Sequence, residues 1–223
     1  MLLYPANKHR ATILLTDFFS CPIPFSINVL YTLFVGVLVP LYWRHYGPAN
    51  FLWFSDIALF IGLAALWLES PLLASMQAVS VLLLELLWNI EFLVGLIAGK
   101  QILGMAGYMF KADKPLWLRG LSLFHVPLPM ILLWQVCCFG YDPRAWIAQT
   151  CVFWLVMPVC FFFTQPAENI NWAFGPGNQP QQAMPALVYR ILLLIGVPLV
   201  IYLPTHVLLR ALVHGLGYQL SSY

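Results

Sequence analysis

Ionisable side chains are rare in the long apolar stretches of this chain, and those that occur there are the first candidates for chemistry, because a charge in hydrocarbon is costly. His125 is the most versatile of them, since an imidazole can serve as a general base, a ligand or a proton relay near neutral pH. Pro127 and Pro129 follow it and predict a distorted helix. The full set is Asp56, Glu85, Glu91, Lys100, Arg119 and His125.

The carboxylates have structural interpretations as well. Asp56 stands about six residues, or roughly 9 Å, into its apolar stretch, so its short side chain needs an internal partner. A buried hydrogen bond or an ion pair with Lys100 or Arg119 would supply one. Glu85 and Asn89 are four residues apart on one predicted helix face, a spacing typical of polar contacts that join membrane helices.

The elements that must position these groups are predicted to be transmembrane helices. The chain has 223 residues, of which 62% are hydrophobic and 8% are charged, against about 45–50% and about 25% in soluble domains. The apolar residues form blocks of about 16 to 22, the length that crosses a bilayer. This excludes soluble enzymes and nucleic-acid-binding proteins. The predicted fold is all-α, a polytopic transmembrane helical bundle of six or seven helices in a single integral membrane domain, residues 1–223.

The number of spans depends on the stretch from Glu91 to Met109, which is apolar but carries Lys100 and four glycines. It could be a full span, a short re-entrant piece or a continuation of the preceding helix. Seven spans give the stronger bias of Lys and Arg to one side, with a cytoplasmic N-terminus. Six spans bring Ser55 and His125 to within about 6 Å in depth. The two arguments disagree, and both counts stay open.

The remaining segments add little chemistry. Residues 1–23 are predicted to form an amphipathic segment at the membrane interface rather than a signal peptide. Residues 165–185 form the longest polar loop. The cysteines show no C-x-x-C spacing, so no zinc site or disulfide framework is indicated. No cofactor motif occurs, and we expect membrane lipid, not nucleic acid, as the partner.

Three segments resemble the YwaF-type family of bacterial membrane proteins. That family is similar to a human transmembrane phospholipid acyltransferase and, more distantly, to the androgen-induced threonine hydrolases of the membrane. The resemblance covers about 160 residues, from residue 50 onward. The segments that carry it are Asn50–Phe60, Leu121–His125, and Asn169–Trp172 followed by Gln179 and Pro180.

The resemblance implies an intramembrane lipid acyl hydrolase or acyltransferase. Ser55 stands where the family has its cysteine nucleophile, and His125 stands where it has its base. Asp56 would then orient the imidazole, as the third group of a triad does. Asn171 and Asn50 would donate hydrogen bonds to an oxyanion. Trp172 and Glu85 complete the expected substrate contacts. Trp53 replaces a family histidine and Val126 a family glycine.

Two other functions stay open. Asp56, Glu85 or Glu91, and His125 could bind a metal, as in ceramidase-like membrane hydrolases. The chain could also be a non-enzymatic lipid-binding, transport or assembly subunit, in which buried polar groups join helices. In either case we expect a multi-pass protein, and the resemblance implies the bacterial cell (inner) membrane.

Overall fold

The computed structural model describes residues 23–177 and 179–215, and its regular elements in this range are all helical. The interfacial segment predicted for residues 1–23 lies outside the described residues, apart from Ile23. The helices are α1 Phe25–Tyr46, α2 Phe54–Leu68, α3 Pro71–Ala98, α4 Leu116–Leu121, α5 Pro127–Phe139, α6 Ala145–Phe163, α7 Ala186–Val197 and α8 Leu203–Gly215.

These helices form six segments, because α4 continues into α5 and α7 continues into α8. Five segments are long and apolar enough to cross a membrane, and α2, with 15 residues, is the shorter sixth. The predicted all-α bundle of a multi-pass membrane protein is thereby confirmed.

The stretch from Glu91 to Met109 is not a separate span. Helix α3 continues through it to Ala98 and ends at Gly99, which adopts a left-handed conformation. The following loop then folds around the Glu91 carboxylate, which accepts hydrogen bonds from five consecutive backbone N–H groups, those of residues 102–106. The described chain therefore has six helical segments, and the preference for seven that came from the Lys and Arg count is wrong.

Two segments are irregular where proline removes a backbone donor. Helix α4 tightens into a 3-10 turn, Ser122–His125, before Pro127 begins α5. In the last segment a π-helical turn, Pro198–Tyr202, separates α7 from α8. The distortion predicted beside His125 is confirmed. It has a local consequence, because side chains three residues apart eclipse each other in a 3-10 helix.

Helix α3 is the central element of the bundle. It packs against α2, α5, α6 and α8, and its residues 74–82 are buried without a break. The outer segments instead expose large apolar side chains, among them Leu155, Phe163, Leu187 and Val200. Lipid is the solvent that such a surface fits, because helices that satisfy their own backbone can face hydrocarbon at no polar cost.

Candidate functional site

A buried acid–imidazole pair lies where α3 meets the 3-10 turn. Nδ1 of His125 is 2.8 Å from Oε2 of Glu85, and the two side chains are 12% and 4% exposed. A carboxylate can only accept, so Nδ1 carries the donated proton and the lone pair of the neutral ring lies on Nε2. That is the arrangement of a general base held in one tautomer by an acid.

The backbone and ring of His125 are fixed by further contacts. Nδ2 of Asn89 donates to the His125 carbonyl at 2.8 Å and to the Glu85 carbonyl at 2.7 Å. The rings of Trp88 and Phe124 stack on the imidazole, with centroids 4.5 and 4.2 Å away. The helix-joining role predicted for Asn89 is confirmed.

Nε2 of His125 makes no hydrogen bond within the described part of the chain, and it is not among the fully buried orphan atoms there. Within the described part of the chain, Nε2 is therefore free to take a proton.

Hydroxyl groups gather on the same side of the turn. Ser122 is three residues before His125 in the 3-10 turn, so the two side chains are neighbours. The hydroxyls of Tyr42 and Ser122 are 2.7 Å apart, and Tyr108 lies close to Ser122. Burial raises the pKa of Tyr108 well above its ordinary value, so this phenol stays a neutral donor.

Asp56 is the second buried acid of the site. It is 3% exposed and interacts electrostatically with His125 and Glu85. Asn50 donates to its Oδ2 at 3.2 Å, whereas its Oδ1 has no partner among the residues that the structure describes. The unpartnered oxygen, buried beside a base, is available to a ligand or a water molecule. We call the set Tyr42, Asp56, Glu85, Tyr108, Ser122 and His125 the polar cluster.

The predicted Ser55–His125–Asp56 triad is not assembled as the sequence suggested. Asp56 does lie near His125, but the acid that hydrogen-bonds to the imidazole is Glu85. Ser55 is half-buried and makes no hydrogen bond with any described residue, His125 included. Consecutive helical residues point about 100° apart, so the backbone that directs Asp56 inward turns Ser55 away from it. The nucleophile role of Ser55 stays a prediction without a contact to support it.

The expected substrate-binding residues have other partners. Oδ1 of Asn171 accepts from the Phe54 N–H at 3.0 Å. Its Nδ2 donates to the Leu52 carbonyl at 2.7 Å and to Cys160 Sγ at 3.6 Å. Asn171 thus caps the start of α2 from a distant loop, and its amide has no free group for an oxyanion. The Trp172 carbonyl accepts from Tyr189.

Metal binding finds no support in the described residues. No three side chains of His, Cys, Asp or Glu come together there as a metal site would require. Glu91, one of the predicted ligands, has both oxygens occupied by backbone N–H groups. The pair Glu85 and His125 is too few for a coordination shell.

An apolar groove lies beside the site. It encloses about 380 Å³ between α1, α2 and the α4–α5 segment. Tyr31, Phe34, Phe124 and Leu128 are among the residues that line it, and the Tyr31 hydroxyl is already bonded to the Leu59 carbonyl at 2.9 Å. The ring of Phe124 forms one wall of the groove and stacks on His125, so the groove and the base share a side chain.

Family models, curated proteins and solved structures were all compared with the chain, and none of them matches it.

Sequence reasoning missed three members of the polar cluster. Tyr42 and Tyr108 look like ordinary interface aromatics in the sequence, and the resemblance of the Leu121–His125 segment gives Ser122 no role. The signal that was present is the proline pair after His125, since a helix broken there predicts a 3-10 turn and hence the pairing of Ser122 with His125.

Proposed function

We propose that the protein is an intramembrane enzyme that hydrolyses or transfers the acyl group of a lipid ester, with Glu85 and His125 as its acid–base pair. The observation that carries the proposal is the 2.8 Å Glu85–His125 contact with Nε2 left free. The resemblance of Leu121–His125 to the base segment of an acyltransferase-related family supports the same reaction class.

The reaction follows from these groups. Nε2 of His125 removes the proton from the hydroxyl of water or of an acceptor lipid, and that oxygen attacks the ester carbonyl carbon. Glu85 stabilises the imidazolium that forms. The hydroxyls of Tyr42, Tyr108 and Ser122 are the donors nearest to the developing oxyanion. The bond from carbon to the leaving oxygen then breaks, and Nε2 returns its proton to that oxygen.

The apolar groove supports a lipid substrate over a soluble one. Its volume falls in the range of small-molecule sites, and its lining is apolar apart from the Tyr31 hydroxyl. A non-enzymatic lipid-binding, transport or assembly subunit is the second candidate, because the buried polar contacts also join helices.

Orientation follows from the charges. Of the Lys and Arg residues in the described part, Arg144 and Arg210 lie at one end of the bundle, and six lie at or near the other: Arg44, Lys100, Lys111, Lys114, Arg119 and Arg190. The positive-inside rule places this second end in the cytoplasm. Tyr42, Asp56 and Tyr108 lie towards it, so we propose a cytoplasmic-side site in the bacterial cell (inner) membrane.

The test is an acyl-release and acyl-transfer assay on purified protein in detergent with a radiolabelled phospholipid. We expect wild type to form fatty acid or a new ester. We expect His125→Asn to lose activity and His214→Asn, at an exposed histidine of α8, to retain it. Equal turnover by wild type and His125→Asn would overturn the proposal.

A further inference from the structure

Arg190 is a cation without an anionic partner among the described residues. It is half-buried, five residues into the last helical segment. Within the described residues no carboxylate lies within salt-bridge distance of it and no hydrogen-bond acceptor is bound to it. A guanidinium always carries its charge and has five N–H donors, so these donors await an acceptor.

Three aromatic rings make cation–π contacts with the Arg190 guanidinium. Its central carbon is 5.2 Å from the Phe161 ring centroid, 5.9 Å from that of Phe162 and 6.0 Å from that of Phe174. Cation–π contacts of this kind compensate part of the lost hydration. They satisfy the face of the planar group and leave its N–H edge free, which is the edge that binds a phosphate in bidentate fashion.

Arg190 also lines a cavity of about 250 Å³. Gln181 and Tyr189 are its other polar lining residues, and no acidic side chain contributes to it; the rest of the wall is Pro166, Ala173, Phe174, Pro180 and Ala186. The cavity is therefore positively charged, with an apolar wall. Its position near the start of a span, directly after the polar loop, is the depth of lipid headgroups.

The loop that forms the wall is held rigidly. Asn169 accepts from the Phe174 N–H at 2.9 Å and donates to the carbonyls of Gly175 and Gly177, both at 2.8 Å. A Cβ on Gly175 would approach the Gln181 nitrogen to 2.3 Å. Only glycine therefore allows the backbone at residue 175 to pack this closely against the backbone at residue 181. The cavity is thus formed in advance of any ligand.

We propose that Arg190 and this cavity bind a phosphate group, either the headgroup phosphate of an anionic membrane lipid or free phosphate. The site lies between α6, α7 and the loop before α7, and it shares no residue with the polar cluster. The phosphate site is therefore independent of the proposed acyl chemistry, and each can be tested without the other.

Native mass spectrometry of the purified protein tests the proposal, with phosphatidylglycerol, phosphatidylcholine and inorganic phosphate titrated separately. We expect wild type to have one saturable binding site for phosphatidylglycerol. Arg190→Gln should bind this lipid at least about tenfold more weakly. Arg190→Lys keeps the positive charge but loses the paired N–H donors of the guanidinium, so we expect an intermediate affinity. Arg210→Gln, at an exposed arginine of α8, should bind like wild type.

Comparing the two probes distinguishes a lipid headgroup from free phosphate as the ligand. Phosphatidylglycerol binding that inorganic phosphate does not displace identifies the lipid headgroup, whereas saturable binding of inorganic phosphate alone identifies the free ion. Undiminished binding of both probes by Arg190→Gln would overturn the site. Should Arg190→Gln fail to fold, Arg190→Lys with wild-type affinity for both probes would do the same.

Discussion

Glu85 and His125 are forty residues apart in the chain, yet Oε2 of the acid lies 2.8 Å from Nδ1 of the imidazole. One turn further along α3, Asn89 holds the carbonyl of the same histidine. Two positions of α3 thus fix both the ring and the backbone of the 3-10 turn. Side chains that are held this way lose little freedom when a substrate binds, which is what a general base needs.

The first prediction concerns the acid of the pair. Glu85→Gln should lower acyl hydrolysis or transfer by about 10²–10⁴-fold, because the imidazolium loses its counter-charge. The measurement is initial rate in detergent micelles at fixed lipid concentration. Glu69→Gln, which changes an exposed glutamate in the turn after α2, should leave the rate unchanged. Wild-type rates in Glu85→Gln would show that the pair is only structural.

The second prediction concerns the unpaired oxygen of Asp56. Asp56→Asn should reduce the rate less than Glu85→Gln does, since the hydrogen bond to the imidazole comes from Glu85 and not from Asp56. The two variants are compared in one assay, together with the double variant. A larger loss from Asp56→Asn would make Asp56 the principal acid, as the sequence first suggested.

The third prediction separates a serine nucleophile from a directly activated hydroxyl. Because Ser55 makes no hydrogen bond in the described structure, Ser55→Ala should keep its activity, and a fluorophosphonate should label wild type and Ser55→Ala equally. Ser122→Ala should lower the rate, because it breaks the contact with Tyr42. Labelling that disappears only in Ser55→Ala would restore the covalent mechanism.

The fourth prediction concerns the loop that Glu91 organises. Glu91→Gln should lower the free energy of unfolding by about 2–3 kcal/mol, because an amide NH₂ then faces N–H groups that need an acceptor. Thermal unfolding in detergent measures this, and proteolysis should begin within residues 99–106. Glu69→Gln again serves as the control. An unchanged melting temperature would mean that the five hydrogen bonds are not needed for stability.

The fifth prediction concerns the cap that a distant loop provides for α2. Asn171→Ala should cost about 1 kcal/mol of stability, as loss of an N-cap does. It should also lower activity, because α2 carries Asp56. Gln165→Ala, which removes an exposed side chain of the same loop, should change neither property. Full activity in Asn171→Ala would show that the start of α2 is held by other contacts.

Composition and local sequence determined much of this protein. The continuous apolar blocks indicate helices in a membrane, because membrane-spanning chains form helices or closed barrels, and barrel strands alternate apolar and polar residues. Pro127 predicted the broken helix beside His125 because the effect of proline on a helix is local. The same local reasoning singled out His125 and Glu85 as costly buried groups.

Only the tertiary structure decided which of these groups meet. Whether Glu85 or Asp56 reaches His125 depends on the rotation and depth of three helices. In an apolar bundle the hydropathy pattern indicates neither the rotation nor the depth of a helix. The Glu91–Met109 stretch shows the same limit. Its mean hydropathy fits a span, but five backbone N–H groups around one carboxylate turn it into the end of α3 and a loop. Long-range hydrogen bonds of this kind depend on how distant segments pack, and a local sequence pattern does not predict that packing.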